Sequence, residues 1–178
     1  LRTIFDNTIL MSDSMQAVSF VDNHDSQKGS ALESQIESWF KPHAYTIIFL
    51  AERGYPCLFY GDYYGVGGQE SEHRWIIDQL LHVRKNYAYG AEIDYFDNPN
   101  IIGIYRTGRE NELNTGCIAL LSNNEEGEIM IEAGQNRTEQ VWKEVTGSGF
   151  ENVVIDDNGF ASFKVRAGKV SVWIPDEQ

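Results

Sequence analysis

The chain has 178 residues, 42% of them hydrophobic and 12% aromatic, which is enough to bury a core in one or two domains and excludes a disordered chain. Its formal net charge is −13, from 27 acidic against 14 basic residues. Such a surface repels phosphate, so nucleic acid and anionic membranes are poor partners; a neutral ligand such as a sugar fits better, although acidity alone selects none. No stretch approaches the ~20 apolar residues that cross a bilayer.

Leu1-Arg2-Thr3-Ile4-Phe5 has neither an initiator Met nor the layout of a signal peptide, so a start inside a longer gene product is expected, and the compartment is left open. Ala17-Val18-Ser19-Phe20-Val21 reads as a short strand ending at Asp22-Asn23-His24-Asp25. Ser30-Ala31-Leu32-Glu33 has the form of a capping box and predicts a helix start. Apolar residues follow at helical spacing (Ile36, Trp39, Phe40, Ala44, Ile47, Ile48 and Ala51), with Pro42 kinking the helix or opening a new first turn. Gly54 and Pro56 are stop signals, and Cys57-Leu58-Phe59-Tyr60 is a second short strand ending at Gly61-Asp62. Strand, loop, helix, strand is a βαβ unit, so the two strands should be parallel. Ile76, Ile77, Leu80, Leu81 and Arg84 then mark a further helix between Glu72 and Tyr87.

The pattern changes near Tyr89-Gly90, where the domain boundary is expected. Strand-like runs begin at Ile101, Cys117, Glu128, Gln140, Phe160 and Val170. Turn residues such as Asn123-Asn124, Gly147-Ser148-Gly149, Asp157-Asn158-Gly159 and Ala167-Gly168-Lys169 separate them. The fold class is therefore α/β over residues 1–90 plus all-β over residues 91–178, the latter an antiparallel sandwich or Greek key.

Cys57 and Cys117 sit in apolar stretches far apart and read as buried free thiols rather than a disulfide. His43, His73 and His82 lack metal-ligand spacing with a carboxylate and read as surface or helix-packing residues. Trp39 and Trp75 read as core or interface residues of helices. Trp142 and Trp173 read as sandwich core rather than a sugar-stacking platform. Asn123-Asn124-Glu125-Glu126 reads as a solvated turn.

The motif that carries chemistry is Phe20-Val21-Asp22-Asn23-His24-Asp25. Its polar residues fall where a parallel strand gives way to its βα loop, the end at which α/β barrels build active sites. A carboxylate beside a neutral imidazole can hydrogen-bond sugar hydroxyls, because one accepts and the other both donates and accepts. A helix cap is the plain alternative, since Asp, Asn and Ser also end strands and start helices for structural reasons.

This segment is similar to the one that ends the seventh barrel strand of alpha-amylases. Gly54-Tyr55-Pro56-Cys57-Leu58-Phe59-Tyr60-Gly61-Asp62 resembles the stretch around their eighth strand. Trp39-Phe40-Lys41-Pro42, and Tyr87-Ala88-Tyr89-Gly90 followed by Asp94-Tyr95-Phe96-Asp97, resemble the liquefying bacterial branch of that family. The resemblance is collinear over nearly the whole chain and weakens after Gly127. It implies the last two βα units of a (β/α)8 TIM barrel followed by a Greek-key β-sandwich. It also implies a parent enzyme that is a retaining endo-hydrolase of α-1,4-glucosidic bonds in starch or glycogen. By resemblance Asp25 is the transition-state stabiliser, and His24 and Gln27 bind substrate, while the nucleophile and general acid lie upstream, so the isolated chain is expected to be inactive. Positions that hold a calcium in some members are matched by Pro99, Asn100 and Asn123, which lack carboxylates, so no metal and no cofactor is expected in this chain; the parent's main calcium site would lie upstream. A barrel needs about 250 residues. The open strand edges of a quarter-barrel call for the missing barrel portion or for self-association as a partner. A non-catalytic glucan-binding or structural remnant, or a piece of a transglycosylating relative, are the alternatives.

Overall fold

The computed structural model describes residues 1–176. After a four-residue helical turn, Ile9–Ser12 (α1), the strand Val18–Phe20 (β1) leads through a long loop to the helix Lys41–Leu50 (α2) and back to the strand Tyr55–Cys57 (β2). β1 and β2 pair in parallel, Val18 opposite Tyr55 and Phe20 opposite Cys57, as the strand–helix–strand order requires. Tyr60–Tyr64 (α3) and Arg74–Asn86 (α4) follow.

Three local expectations are corrected. The capping box at Ser30 starts no helix: the Glu33 carboxylate accepts from the Gly29 amide at 2.8 Å, Ser30 donates to the Asp25 carbonyl, and the chain stays irregular until a 3-10 turn at Ser38–Phe40. Pro42 at the first turn of α2 decides this, because its ring lacks a donor and opposes helix continuing through the preceding turn. The second strand runs two residues earlier than expected and contains Pro56; in a pair with open edges a proline forfeits no ladder bond. Phe59-Tyr60, read as strand, instead lead into α3.

The strand-rich part forms a six-stranded antiparallel sheet in the order β3-β4-β5-β10-β7-β8 and a separate β6-β9 ribbon. These strands are Glu92–Tyr95 (β3), Ile101–Arg106 (β4), Cys117–Ser122 (β5), Gly127–Glu132 (β6), Val141–Glu144 (β7), Val153–Val154 (β8), Phe160–Val165 (β9) and Val170–Pro175 (β10). β3 and β8 were not anticipated: one is polar and half-exposed at the sheet edge, the other only two residues long. β4, β5 and β10 are buried on both faces, which explains their continuous apolar runs. Alternate residues feed two cores. Tyr105, Ile118, Leu120 and Trp173 face the ribbon and pack with Trp142 and Phe163. Ile102, Ile104, Ala119, Leu121, Val172 and Ile174 face the helices and pack with Tyr45, Phe49, Ile77 and Leu80. The two expected parts of the chain thus share a core, with α2 buried nearly all round between them. Trp142 and Trp173 are core residues, as expected.

The thiols are free, but they are not alike. Cys117 lies in the shared core, where burial pushes its thiol up to about 12, whereas Cys57 is exposed on β2, contrary to the expectation of two buried thiols. A thiol titration with an aromatic disulfide reagent is expected to count one reactive cysteine in the native chain and two after denaturation. Two rapid equivalents before denaturation would contradict this packing.

Candidate active site

The loop after β1 is built by short-range hydrogen bonds. The Asn23 side-chain oxygen accepts from the amides of Asp25 at 2.8 Å and Ser26 at 3.0 Å, and the Asn23 amide donates to Ser26 Oγ at 3.0 Å. Ser26 in turn donates to Asp22 Oδ1 at 3.0 Å. Asn23 and Ser26 therefore serve the turn itself, although no helix starts there as the capping alternative expected. His24 and Asp25 are carried on its tip: His24 Nε2 lies 3.4 Å from Asp25 Oδ1, and their side chains are 81% and 60% exposed.

Beneath the turn sits a charged cluster that sequence reading missed. Asp22 is 2% exposed and Asp62, in the short helix α3 that follows β2, is 5% exposed. Between them the Lys41 ammonium, on the first turn of α2, lies 2.5 Å from Asp62 Oδ1 and 2.9 Å from Asp22 Oδ2; the contact to Asp22 is an ion pair rather than an aligned hydrogen bond. Tyr45 OH donates to Asp62 Oδ2 at 2.6 Å, and the Ile36 amide donates to Asp22 Oδ1 at 3.3 Å. Burial works against the Lys41 charge, but its pairing with Asp62 and Asp22 outweighs it and holds the ammonium above its ordinary range. Burial, and then the bond to Asp62, likewise raise the Tyr45 phenol. The available signal was positional: Asp22 and Asp62 each follow a strand-like run in the sequence, and Lys41 is a lone charge among the apolar residues Trp39, Phe40 and Ala44.

A cleft of about 660 Å³ borders this cluster, with Asp22, Gln27, Lys41, Phe59, Asp62 and His73 among its walls. Gln27 reaches it; His24 and Asp25 stand outside those walls on the exposed turn. His43, expected to be a surface or packing residue, is buried, with Nε2 2.8 Å from the Ser122 carbonyl, and burial lowers its basicity. The Asn123–Glu126 turn is largely solvent-facing, as expected.

The positions matched to a calcium site offer a poor donor set. The Asn100 carbonyl accepts from the Asn123 amide at 3.1 Å. Asn123 Oδ1 is buried without a hydrogen-bond partner, yet it is one neutral oxygen, and calcium takes about six to eight oxygens with carboxylates among them. Among the described residues no three His, Cys, Asp or Glu side chains gather as a metal cluster.

No family model matches the chain. It is 42% identical over 175 residues to the glucan 1,4-alpha-maltohexaosidase of Bacillus sp. strain 707, a match covering 98% of this chain and 34% of the relative. Identity to the alpha-amylase of Geobacillus stearothermophilus is 40% over 98% of this chain and 32% of the relative. Over nearly its whole length this chain is a homologue of the alpha-amylases. It spans about a third of the length of these relatives. The cytoplasmic alpha-amylase of Escherichia coli K12 is 38% identical over 99% of this alpha-amylase homologue and 38% of that protein. Among solved structures, the alpha-amylase of Geobacillus thermoleovorans, complexed with acarbose, superposes with a TM-score of 0.60 at 15% identity, covering 90% of this homologue and 39% of that chain. The gamma-CGTase of alkalophilic Bacillus clarkii gives a TM-score of 0.59 at 20% identity, covering 90% of this homologue and 26% of that chain. At these identities the superpositions speak to the fold alone.

Proposed function

We propose that this chain is the C-terminal part of an alpha-amylase-type enzyme, with residues 1–90 supplying the last two βα units of its barrel and residues 91–178 its C-terminal β-sandwich. The parent is a retaining endo-hydrolase of α-1,4-glucosidic bonds in starch or glycogen. The observation that carries the reading is the placement of Asp25 and His24 on the loop at the end of a parallel strand, in a chain that aligns with alpha-amylases over 98% of its length.

In this reading Asp25 accepts hydrogen bonds from hydroxyls of the sugar undergoing cleavage and favours its distorted, oxocarbenium-like form. His24, 3.4 Å away, donates to the same sugar, and Gln27 contributes from the cleft wall. The nucleophile and general acid belong to barrel strands outside this chain, and no step is assigned to a metal. Two features support an absent remainder. Val18, Phe20 and Tyr55 on the β1–β2 pair are 61%, 54% and 73% exposed, and among the described residues only two strands pair there. That apolar face and those edges match the missing barrel portion, or in the isolated chain a second copy.

The purified 178-residue chain is expected to release no reducing ends from soluble starch above buffer. Turnover proportional to chain concentration would refute the assignment of the bond-breaking carboxylates to residues outside this chain.

A further inference from the structure

A second cleft, of about 720 Å³, lies where the starts of α2 and α4 face the loops around Gly147 and Gly168. Trp39 and Trp75, expected in the core or an interface, instead line this cleft 53% and 55% exposed. Both are held in place. Trp39 makes edge contacts with Phe40 at 5.3 Å and His43 at 5.6 Å between ring centroids. Trp75 lies over Gly147, whose φ is +81° and where a Cβ would come within 3.1 Å of the indole. Two fixed indoles left half in water are apolar surface that folding has positioned without burying.

We propose that this cleft is a second α-glucan-binding site, stacking sugar rings on Trp39 and Trp75. The proposal rests on the reading above for the identity of the polymer. An indole face suits the C–H face of a pyranose, with polar groups at the margin meeting the hydroxyls. The charge balance selects the ligand class. In a chain of net charge −13 the cleft is lined by Glu72 and Glu126 against Arg166 and Lys169, and Arg166 pairs with Glu126 at 2.9 Å. A site with two acids and two bases favours neither anion nor cation, whereas paired carboxylate and guanidinium groups donate to and accept from hydroxyls in a plane. Ser38, Glu72 and His73 line both clefts, so a single ridge separates this site from the one that Gln27 reaches. One polymer chain held by the indoles is thereby kept next to the candidate active site.

The test is calorimetric titration of the full 178-residue chain with maltoheptaose, with near-UV circular dichroism confirming that each variant keeps its packing. The expected result is saturable binding that Trp39→Ala and Trp75→Ala each weaken at least tenfold. Trp39→Phe should retain part of the affinity. Absence of binding, or unaltered binding in both Ala variants, overturns the site. Loss of binding in Asp25→Asn alone places the glucan in the first cleft, which overturns this inference and leaves the proposed function standing. Binding of a proline-rich peptide in place of maltoheptaose makes the groove a protein-docking surface and overturns it as well. Failure of the proposed function shows separately, as full activity of Asp25→Asn in the parent enzyme.

Discussion

Lys41→Met is expected to destabilise the fold by about 3–5 kcal/mol, the range found when one partner of a buried ion pair is removed. Asp22 and Asp62 are nearly inaccessible and share this ammonium, at 2.9 Å and 2.5 Å. Without it two buried carboxylates face one another with only neutral donors: Ser26 and the Ile36 amide for Asp22, and Tyr45 for Asp62. The magnitude follows from the stranded charges and not from any large net worth of the intact cluster. Replacing all three residues by well-packed apolar ones could be close to neutral. Lys41→Arg keeps the charge and should recover part of the loss, whereas breaking an exposed pair such as Arg109–Glu112 should matter far less, because solvent screens it. Urea unfolding monitored by tryptophan fluorescence decides it. A loss under about 1 kcal/mol for Lys41→Met would mean that water reaches the cluster and that it does not anchor the loop beneath Asp25.

Much of the strand-rich part was legible because two-sided burial writes itself as unbroken apolar runs. Ile101–Arg106, Cys117–Ser122 and Val170–Pro175 are such runs, with Gly or Asn-rich turns nearby. The parallel pairing of β1 with β2 followed from element order alone. What failed was local grammar read without its tertiary setting. Ser30 and Glu33 have the letters of a capping box, yet Pro42 sets the helix start eleven residues further on, at Lys41. Trp39 and Trp75 fell in helical segments, which says nothing of the faces that the neighbouring loops leave open. The Asp22–Lys41–Asp62 cluster joins residues up to forty positions apart and could not be read from spacing. The candidate site was legible as a motif, but its exposure was not: the sequence points to Asp25, and the fold shows it at the tip of a turn whose support is Asp22.

In the proposed function Asp25 acts on the sugar and not on the fold. Asn is nearly isosteric with Asp and keeps one carbonyl acceptor but removes the negative charge. If the carboxylate strengthens its bonds to the sugar only as the transition state forms, the loss falls on kcat more than on KM. Removing one such electrostatic contact typically costs about 10²–10³-fold in rate. On the structural side little should change, because the side chain is 60% exposed and the turn is held by Asn23, Ser26 and Asp22 instead. A substitution at such a position usually moves stability by less than ~0.5 kcal/mol. The decisive measurement is kcat on soluble starch, with the melting temperature, for Asp25→Asn in the full-length parent enzyme. The account predicts a kcat reduced by about 10³-fold with an unchanged melt; near-normal kcat with the fold intact would contradict it.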